Sequence, residues 1–83
     1  MQKHMYTLKD KKVEVYLTPF FTHDDENAVR DLTFLANDSE HPIGKNPEGY
    51  ALYRLGVYND ENASFQLYDA PEHLVNLENL KKV

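Results

Sequence analysis

The chain has 83 residues, which suits one small domain because a second hydrophobic core would need more chain. Hydrophobic residues make up 41% of it and charged residues 28%, a composition too apolar for a disordered protein. The absence of cysteine excludes a disulfide scaffold, a thiolate zinc site and a cysteine nucleophile. A net charge of −5 argues against a domain that binds nucleic acid through an overall positive charge.

The first two predicted elements are β-strands at residues 5–8 and 13–17, joined by the polar loop 9–12, which is short enough for an antiparallel hairpin. Because side chains alternate across a strand, one face of each strand is expected to point into the core. The expected core residues are Tyr6, Leu8, Val13, Val15 and Leu17. Pro19 ends the second strand, and Phe20 and Phe21 are expected to cover the edge of the core.

An amphipathic helix is predicted next, with Thr22 as its N-cap and acidic residues 24–26 in its first turn. Its apolar stripe has helical spacing and is followed by a polar stop at 37–39. The stripe consists of Ala28, Val29, Leu32, Leu35 and Ala36. Phe34 lies on the opposite side of this helix, where it is either a second contact surface or a single exposed aromatic residue.

The remainder of the chain is predicted to add two strands and a short helix. Residues 38–49 are expected to form an ordered surface loop, and residues 51–58 and 64–68 to form strands joined by a turn. A capping-box pattern at 69–72 predicts that residues 71–83 form a short C-terminal helix or tail.

The predicted element order is β-β-α-β-β-α. It indicates a single α+β domain over residues 1–83, in which a mainly antiparallel four-stranded sheet carries its helices on one face. No apolar run is long enough for a signal peptide or a membrane span, so we expect no membrane association.

The sheet face without helices is expected to be rich in aromatic residues. Strand alternation assigns to it Met5, Thr7, Lys9, Glu14, Tyr16, Leu52, Arg54, Tyr58, Gln66 and Tyr68. Tyrosine rings can stack on unpaired bases while Lys and Arg contact phosphates, but the same residues are also enriched in protein interfaces. Binding of single-stranded DNA, burial in a homodimer and plain solvent exposure therefore remain alternatives. The candidate binding residues are Lys9, Tyr16, Arg54, Tyr58 and Tyr68, helped by Lys11, Lys12 and Lys45.

Patterns typical of catalytic and metal sites are missing from the sequence. The four histidines are far apart and none has a second histidine at the spacing of a zinc site. Gly44 and Lys45 lack the other residues of a phosphate-binding loop, and no nucleophile, base and orienting group can be recognised. We therefore expect a protein that is not an enzyme and has no cofactor, metal or small-molecule substrate.

Several short motifs, in order, connect the chain with a known family. They are YLTPFF at 16–21, Asp24-Asp25, Ala28-Val29-Arg30, Asn37-Asp38, Pro47-Glu48-Gly49-Tyr50, Leu52-Tyr53-Arg54-Leu55-Gly56 and Asn59-Asp60. This ordered set, which extends from Tyr6 to Pro71, resembles the small nonstructural protein of gokushoviruses, which are single-stranded-DNA phages of the Microviridae. The chain departs from the family pattern at residues 46–49, where Asn-Pro-Glu-Gly replaces the usual His-Pro-Glu-Asp.

The resemblance implies a non-virion protein in the cytoplasm of the bacterial host. Its implied role is to bind DNA or the replication complex and to help switch genome replication toward single-stranded DNA synthesis and packaging. The alternative is a homodimeric protein-interaction module without direct nucleic-acid binding. The variant Tyr58→Arg distinguishes the two hypotheses, because it should yield monomers if the tyrosine face is a dimer interface.

Overall fold

The architecture is a curled antiparallel sheet with a helix on one face, and the computed structural model describes residues 2–82. The strands are β1 (Gln2–Asp10), β2 (Val15–Tyr16), β3 (Phe20–Thr22), β4 (Tyr50–Asn59) and β5 (Ser64–Asn76). The helices are α1 (Asp25–Ala36), the short α2 (Pro42–Lys45) and two 3-10 helices at Pro47–Gly49 and Leu77–Leu80. Every strand pair is antiparallel, so the α+β prediction is confirmed.

Strand β1 lies at the centre of the sheet. It pairs with β4 along one side and with both β2 and β3 along the other, and β5 completes the order β2-β1-β4-β5. The predicted hairpin is confirmed, with Lys9 opposite Tyr16. Strand β2 is only two residues long, and the chain rejoins β1 as β3, where Phe21 lies opposite Met5. The sequence pattern does not predict β3, because Pro19 indicates the end of strand pairing.

A β-bulge in β4 decides which side chains share a face. Met5 pairs with Gly56, whereas the next residue, Tyr6, pairs with Arg54, so Leu55 is the additional residue. Because one extra residue reverses the alternation, Arg54 lies on the face of Tyr6 and Tyr58 lies on the face of Met5. The predicted placement on the uncovered face is therefore correct for Tyr58 but wrong for Leu52 and Arg54.

The core lies between α1 and the β1–β4 part of the sheet. The predicted stripe of α1 is confirmed, with Ala28, Leu32 and Ala36 buried. The buried cluster comprises Tyr6, Leu8, Ala28, Leu32, Ala36, Ile43, Leu52 and Leu77. Leu52 is fully buried, which corrects its predicted place on the helix-free face. Met5 and Thr7 do face away from this cluster, but neighbouring side chains bury them too.

The N-cap of α1 is Asp24 rather than the predicted Thr22. Asp24 has an extended backbone, and its carboxylate accepts a hydrogen bond from the Asn27 amide at 2.8 Å. Thr22 is instead the last residue of β3, opposite His4. The strand pairing therefore moves the start of the helix by two residues.

The predicted core positions of the hairpin's second strand are exposed. Val13 is 65% exposed, and Val15 and Leu17 are also on the surface. The reason is that β2 pairs through two residues at the edge of the sheet, outside the cluster that α1 covers. The alternation of side chains places these residues on one face of the predicted strand. It does not show whether another element of the fold covers that face.

Two other segments differ from the predictions. Residues 38–49 contain α2 and a 3-10 helix, and Ile43 is buried in the core rather than part of a surface loop. The helix predicted from the capping-box pattern at 69–72 is absent, because β5 continues to Asn76 and Glu72 pairs with Arg54 across the strands. Within the predicted tail 71–83, only Leu77–Leu80 is helical, as a 3-10 turn, and Val83 lies outside the described residues.

Candidate functional site

The sheet face opposite α1 carries a group of aromatic rings. In β1, Lys3, Met5, Thr7 and Lys9 alternate with the core residues and therefore point away from the helix. Residues paired with them across the strands share that face. We call the following rings the aromatic face: Tyr16, Phe21, Tyr53, Tyr58, Phe65 and His73.

The first part of the aromatic face is a cluster of Phe21, Tyr58 and Phe65. The Tyr58 ring centroid lies 5.7 Å from that of Phe21 and 4.9 Å from that of Phe65. Phe21 is 45% exposed and Phe65 57% exposed, so the packed rings still present much of their surface to solvent. Together with Lys3 and Ala63 they line an open cleft.

Gly56 allows these rings to come together across two intervening strands. It pairs with Met5 on one side and with Leu67 on the other, and it has no side chain to fill the space between them. The centroids of Phe21 and Phe65, on opposite sides of this position, are only 6.4 Å apart. The small residue therefore makes a continuous ring surface from β3 to β5.

The second part of the aromatic face is centred on Tyr53. Tyr16 contacts its ring edge-to-face at a centroid distance of 5.4 Å, and His73 does so from the other side at 5.3 Å. The Lys9 ammonium lies 5.5 Å from the Tyr16 ring centroid, within the range of a cation–π interaction. A cation and a ring are therefore already placed side by side on this surface.

The two lysines of the aromatic face are spaced along one strand. Lys3 and Lys9 are six positions apart in β1, which corresponds to about 20 Å at ~3.4 Å per residue. The exposed rings lie beside β1 over the same distance. Such an arrangement offers π-surfaces for unpaired bases, at ~1–3 kcal/mol per stacked base, and a cation near each end for phosphates.

Arg54 and Tyr68 lie in a separate cluster on the helix side of the sheet. The Arg54 guanidinium donates to Asp25 Oδ2 at 2.9 Å and to Glu72 Oε1 at 3.0 Å, and its Cζ lies 5.4 Å from the Tyr68 ring centroid. The Tyr6 hydroxyl donates to the other oxygen of Asp25 at 2.6 Å. Arg54 was predicted to bind phosphate, but two carboxylates neutralise its charge. Its role in this structure is to stabilise the contact between α1 and the sheet.

The electrostatics of this cluster follow from burial and the shared carboxylate. Burial, together with the hydrogen bond to Asp25, raises the pKa of the Tyr6 hydroxyl far above its usual value. Burial lowers the pKa of Arg54, but the negative charges of Asp25 and Glu72 outweigh it and the pKa is raised. Both groups therefore keep their protons at neutral pH.

The structure brings together some of the predicted site residues but not all of them. Lys9, Tyr16 and Tyr58 lie on the aromatic face, as predicted. Lys11 and Lys12 adjoin Lys9 in the turn before β2, where their backbone amides donate to the Gly49 carbonyl and the Asp10 carboxylate. Arg54 and Tyr68 lie in the helix-side cluster, and Lys45 ends α2, which packs against α1.

Sequence reasoning did not include five residues of this site. They are Lys3, Phe21, Tyr53, Phe65 and His73. Uninterrupted alternation through β4 places Tyr53 on the opposite face, and the apolar character of Phe65 and Leu67 predicts a core position for Phe65. The sequence did hold one signal, because an isolated glycine within a strand, here Gly56, often marks a bulge or a close backbone approach.

Among residues 2–82, no group of three or more His, Asp and Glu side chains is arranged to hold a metal ion. The helices of this part of the chain are all too short or too polar to cross a membrane.

A comparison with protein families finds a match to a family model described as phage ORF5 protein, over residues 3–80. The match includes every residue of the aromatic face. No curated protein and no solved structure matches the chain.

Proposed function

The chain belongs to the phage ORF5 protein family, and we propose that it acts as a non-virion accessory protein that binds single-stranded DNA through its aromatic face. The resemblance to the gokushovirus nonstructural protein supports a place among the Microviridae and a site of action in the host cytoplasm. Binding to the displaced or newly made single strand, alone or with the replication complex, would favour single-stranded synthesis and packaging.

The observation that carries the proposal is the set of exposed rings between Lys3 and Lys9. Every base has a π-face, so stacking on Tyr16, Phe21 and Phe65 requires no particular sequence. An unpaired strand can present its bases to such a surface, whereas in a duplex the bases are stacked on one another. The proposal therefore includes a preference for single-stranded over duplex DNA.

The acidic composition limits the strength of this interaction, and one carboxylate, that of Asp60, lies within electrostatic range of Lys3. Asp25 and Glu72 are engaged by Arg54 on the helix side of the sheet. The cations Lys3 and Lys9 lie on the opposite side, among the rings. With few phosphate contacts the affinity should be moderate, and its dependence on salt should be shallow, at about −0.7 per contacted phosphate for a single strand.

The proposal is tested by fluorescence anisotropy of labelled single-stranded and duplex oligonucleotides, at about 50 and about 200 mM salt. We expect single-strand binding that weakens with salt and exceeds duplex binding. Loss of the stacking ring in Phe65→Ala should weaken binding about 5- to 150-fold, given ~1–3 kcal/mol per stacked base. Absence of single-strand binding at the lower salt concentration would overturn the proposal.

Phe34→Ala is the matched control for Phe65→Ala. Phe34 is 72% exposed and belongs to α1 rather than to the aromatic face. Its loss removes a ring of the same size from a surface that the proposal does not use. Equal losses of affinity in the two variants would contradict the assignment of the site.

The second candidate function is a homodimeric protein-interaction module that buries the aromatic face. The exposure of Phe21 and Phe65 favours it, because contiguous exposed apolar side chains often mark protein interfaces. In that case Tyr58→Arg should convert the dimer to monomers. For the DNA-binding function, the same variant should lose DNA binding with its oligomeric state unchanged.

A further inference from the structure

The outer edge of β5 is the longest unpaired strand edge in residues 2–82. Strand β5 has 13 residues and is last in the strand order, whereas β2, at the other end, has two. Its first five residues, 64–68, are Ser-Phe-Gln-Leu-Tyr and carry no charge. An edge of this kind presents free backbone donors and acceptors to any strand of matching shape.

Edge strands are commonly protected by charges, proline or bulges. In β5 these features occur only after residue 68, with Asp69, Pro71 and Glu72 in or beside the register shift opposite β4. Phe65 and Leu67, by contrast, are 57% and 62% exposed. They share the helix-free face of the sheet, because their partners are Tyr58 and Gly56. The unprotected segment is thus also an apolar one.

We propose that residues 64–68 pair antiparallel with the same segment of a second copy of the chain, about a two-fold axis at Gln66. This register centres the axis on the uncharged segment and keeps Asp69 away from the partner's Asp69. It sets Phe65 beside the partner subunit's Leu67, and the symmetry repeats that pair. The segment can therefore pair with itself without setting like charges opposite each other.

The resulting dimer has one continuous sheet with the two aromatic faces side by side. Phe65 contributes to both surfaces, but Phe21, Tyr16 and both lysines of each copy remain open, so this contact is compatible with the DNA-binding function and does not depend on it. One short strand pair buries little surface compared with the ~1,600 Å² of a standard interface. The dimer is accordingly expected to form reversibly with rising protein concentration.

A charge swap at Gln66 tests both the contact and its register. On the two-fold axis, residue 66 lies directly opposite its own copy, where like charges destabilise strand pairing. Gln66→Glu and Gln66→Lys should each raise the dimer dissociation constant by about fivefold or more, corresponding to ~1 kcal/mol. An equimolar mixture of the two variants should restore dimers. Sedimentation equilibrium up to about 1 mM protein covers the expected range.

Val15→Glu and Val15→Lys are the matched controls, because Val15 is an exposed residue of the opposite edge strand. They should dimerise like the unmodified chain. The proposal is overturned if the unmodified chain stays monomeric throughout, if the Gln66 variants dimerise normally, or if their mixture shows no recovery. Circular dichroism of each variant confirms that the fold is intact.

Discussion

Arg54 in β4 and Asp25 in the first turn of α1 are joined by an ion pair of 2.9 Å. The pair connects the sheet to the helix that covers it, and Tyr6 adds a hydrogen bond to the same carboxylate. Arg54 faces the helix because it lies two positions after the buried Leu52 in regular alternation. The extra residue Leu55 then turns Gly56 and Tyr58 to the other face, so the bulge separates the structural cation Arg54 from Tyr58 and the aromatic face.

Asp25→Asn should destabilise the fold through this cluster. The substitution leaves the half-buried Arg54 with Glu72 as its remaining carboxylate partner and weakens the hydrogen bond from Tyr6. Because both side chains of the pair keep some contact with water, we expect a loss of about 1–2 kcal/mol in the free energy of unfolding. Urea denaturation measures it. Asp31→Asn, whose ion pair with Arg30 is 4.0 Å long and exposed, should change stability by less than about 0.5 kcal/mol.

Tyr6 should make the stability depend on alkaline pH. Its pKa is raised in the folded state by burial and by the hydrogen bond to Asp25. The unfolded chain therefore loses the proton first, at its ordinary pKa of about 10, and the stabilisation present below that pH declines as pH rises. Tyr6→Phe should be less stable at neutral pH by about 2 kcal/mol but should lose stability less steeply above about pH 10. If the free energy of unfolding fell equally steeply with pH in Tyr6→Phe and in the unmodified chain, Tyr6 would not be the group responsible for the alkaline loss of stability.

Gly56→Ala should be strongly destabilising. A Cβ atom at this position would collide with the Gln66 carbonyl oxygen and would lie 2.9 Å from Leu67 Cα, both in the backbone of β5. Backbone atoms of a paired strand cannot move aside locally, so we expect a loss of about 2–3 kcal/mol in thermal or urea unfolding. Gly49→Ala is the control, because there the nearest obstacle is the Asn46 side-chain amide, which can rotate. A smaller loss of stability in Gly56→Ala than in Gly49→Ala would contradict the close approach of β4 and β5.

Asp24→Ala tests where α1 begins. Loss of the carboxylate that accepts from the Asn27 amide should lower the free energy of unfolding by about 1 kcal/mol. Thr22→Ala removes no cap, because Thr22 is a strand residue. If the Thr22 variant lost helix stability and the Asp24 variant did not, the helix would start at the residue that the sequence pattern alone suggested.

Local sequence patterns predicted the elements whose signals lie within one segment. The stripe from Ala28 to Ala36 identified α1, and the polar loop after Leu8 identified the hairpin. The patterns were insufficient where another segment decides the outcome. The capping-box pattern at 69–72 was overridden because β4 offers Glu72 a strand partner and a cation, Arg54.

The composition of the candidate site was predictable in kind but not residue by residue. An aromatic sheet face with lysines was expected, and Lys9, Tyr16 and Tyr58 lie on it. The bulge at Leu55 places Arg54 and Tyr58 on opposite faces, and Tyr53 on the same open face as Tyr58. A change of register by one residue has no strong local signal apart from Gly56, so sequence alone could not show that the residues before the bulge face the opposite way to the predicted one.

The measurement that tests the central claim most directly is an NMR titration of the chain with a short oligothymidylate. Stacking of a base on a protein ring shifts that ring's proton resonances upfield, so each aromatic residue reports separately. We expect saturable shifts for Phe21, Tyr58 and Phe65, together with amide shifts at Lys3 and Lys9, and none for Phe34. Shifts confined to Phe34, or no shifts at low salt, would contradict the claim that the aromatic face binds single-stranded DNA.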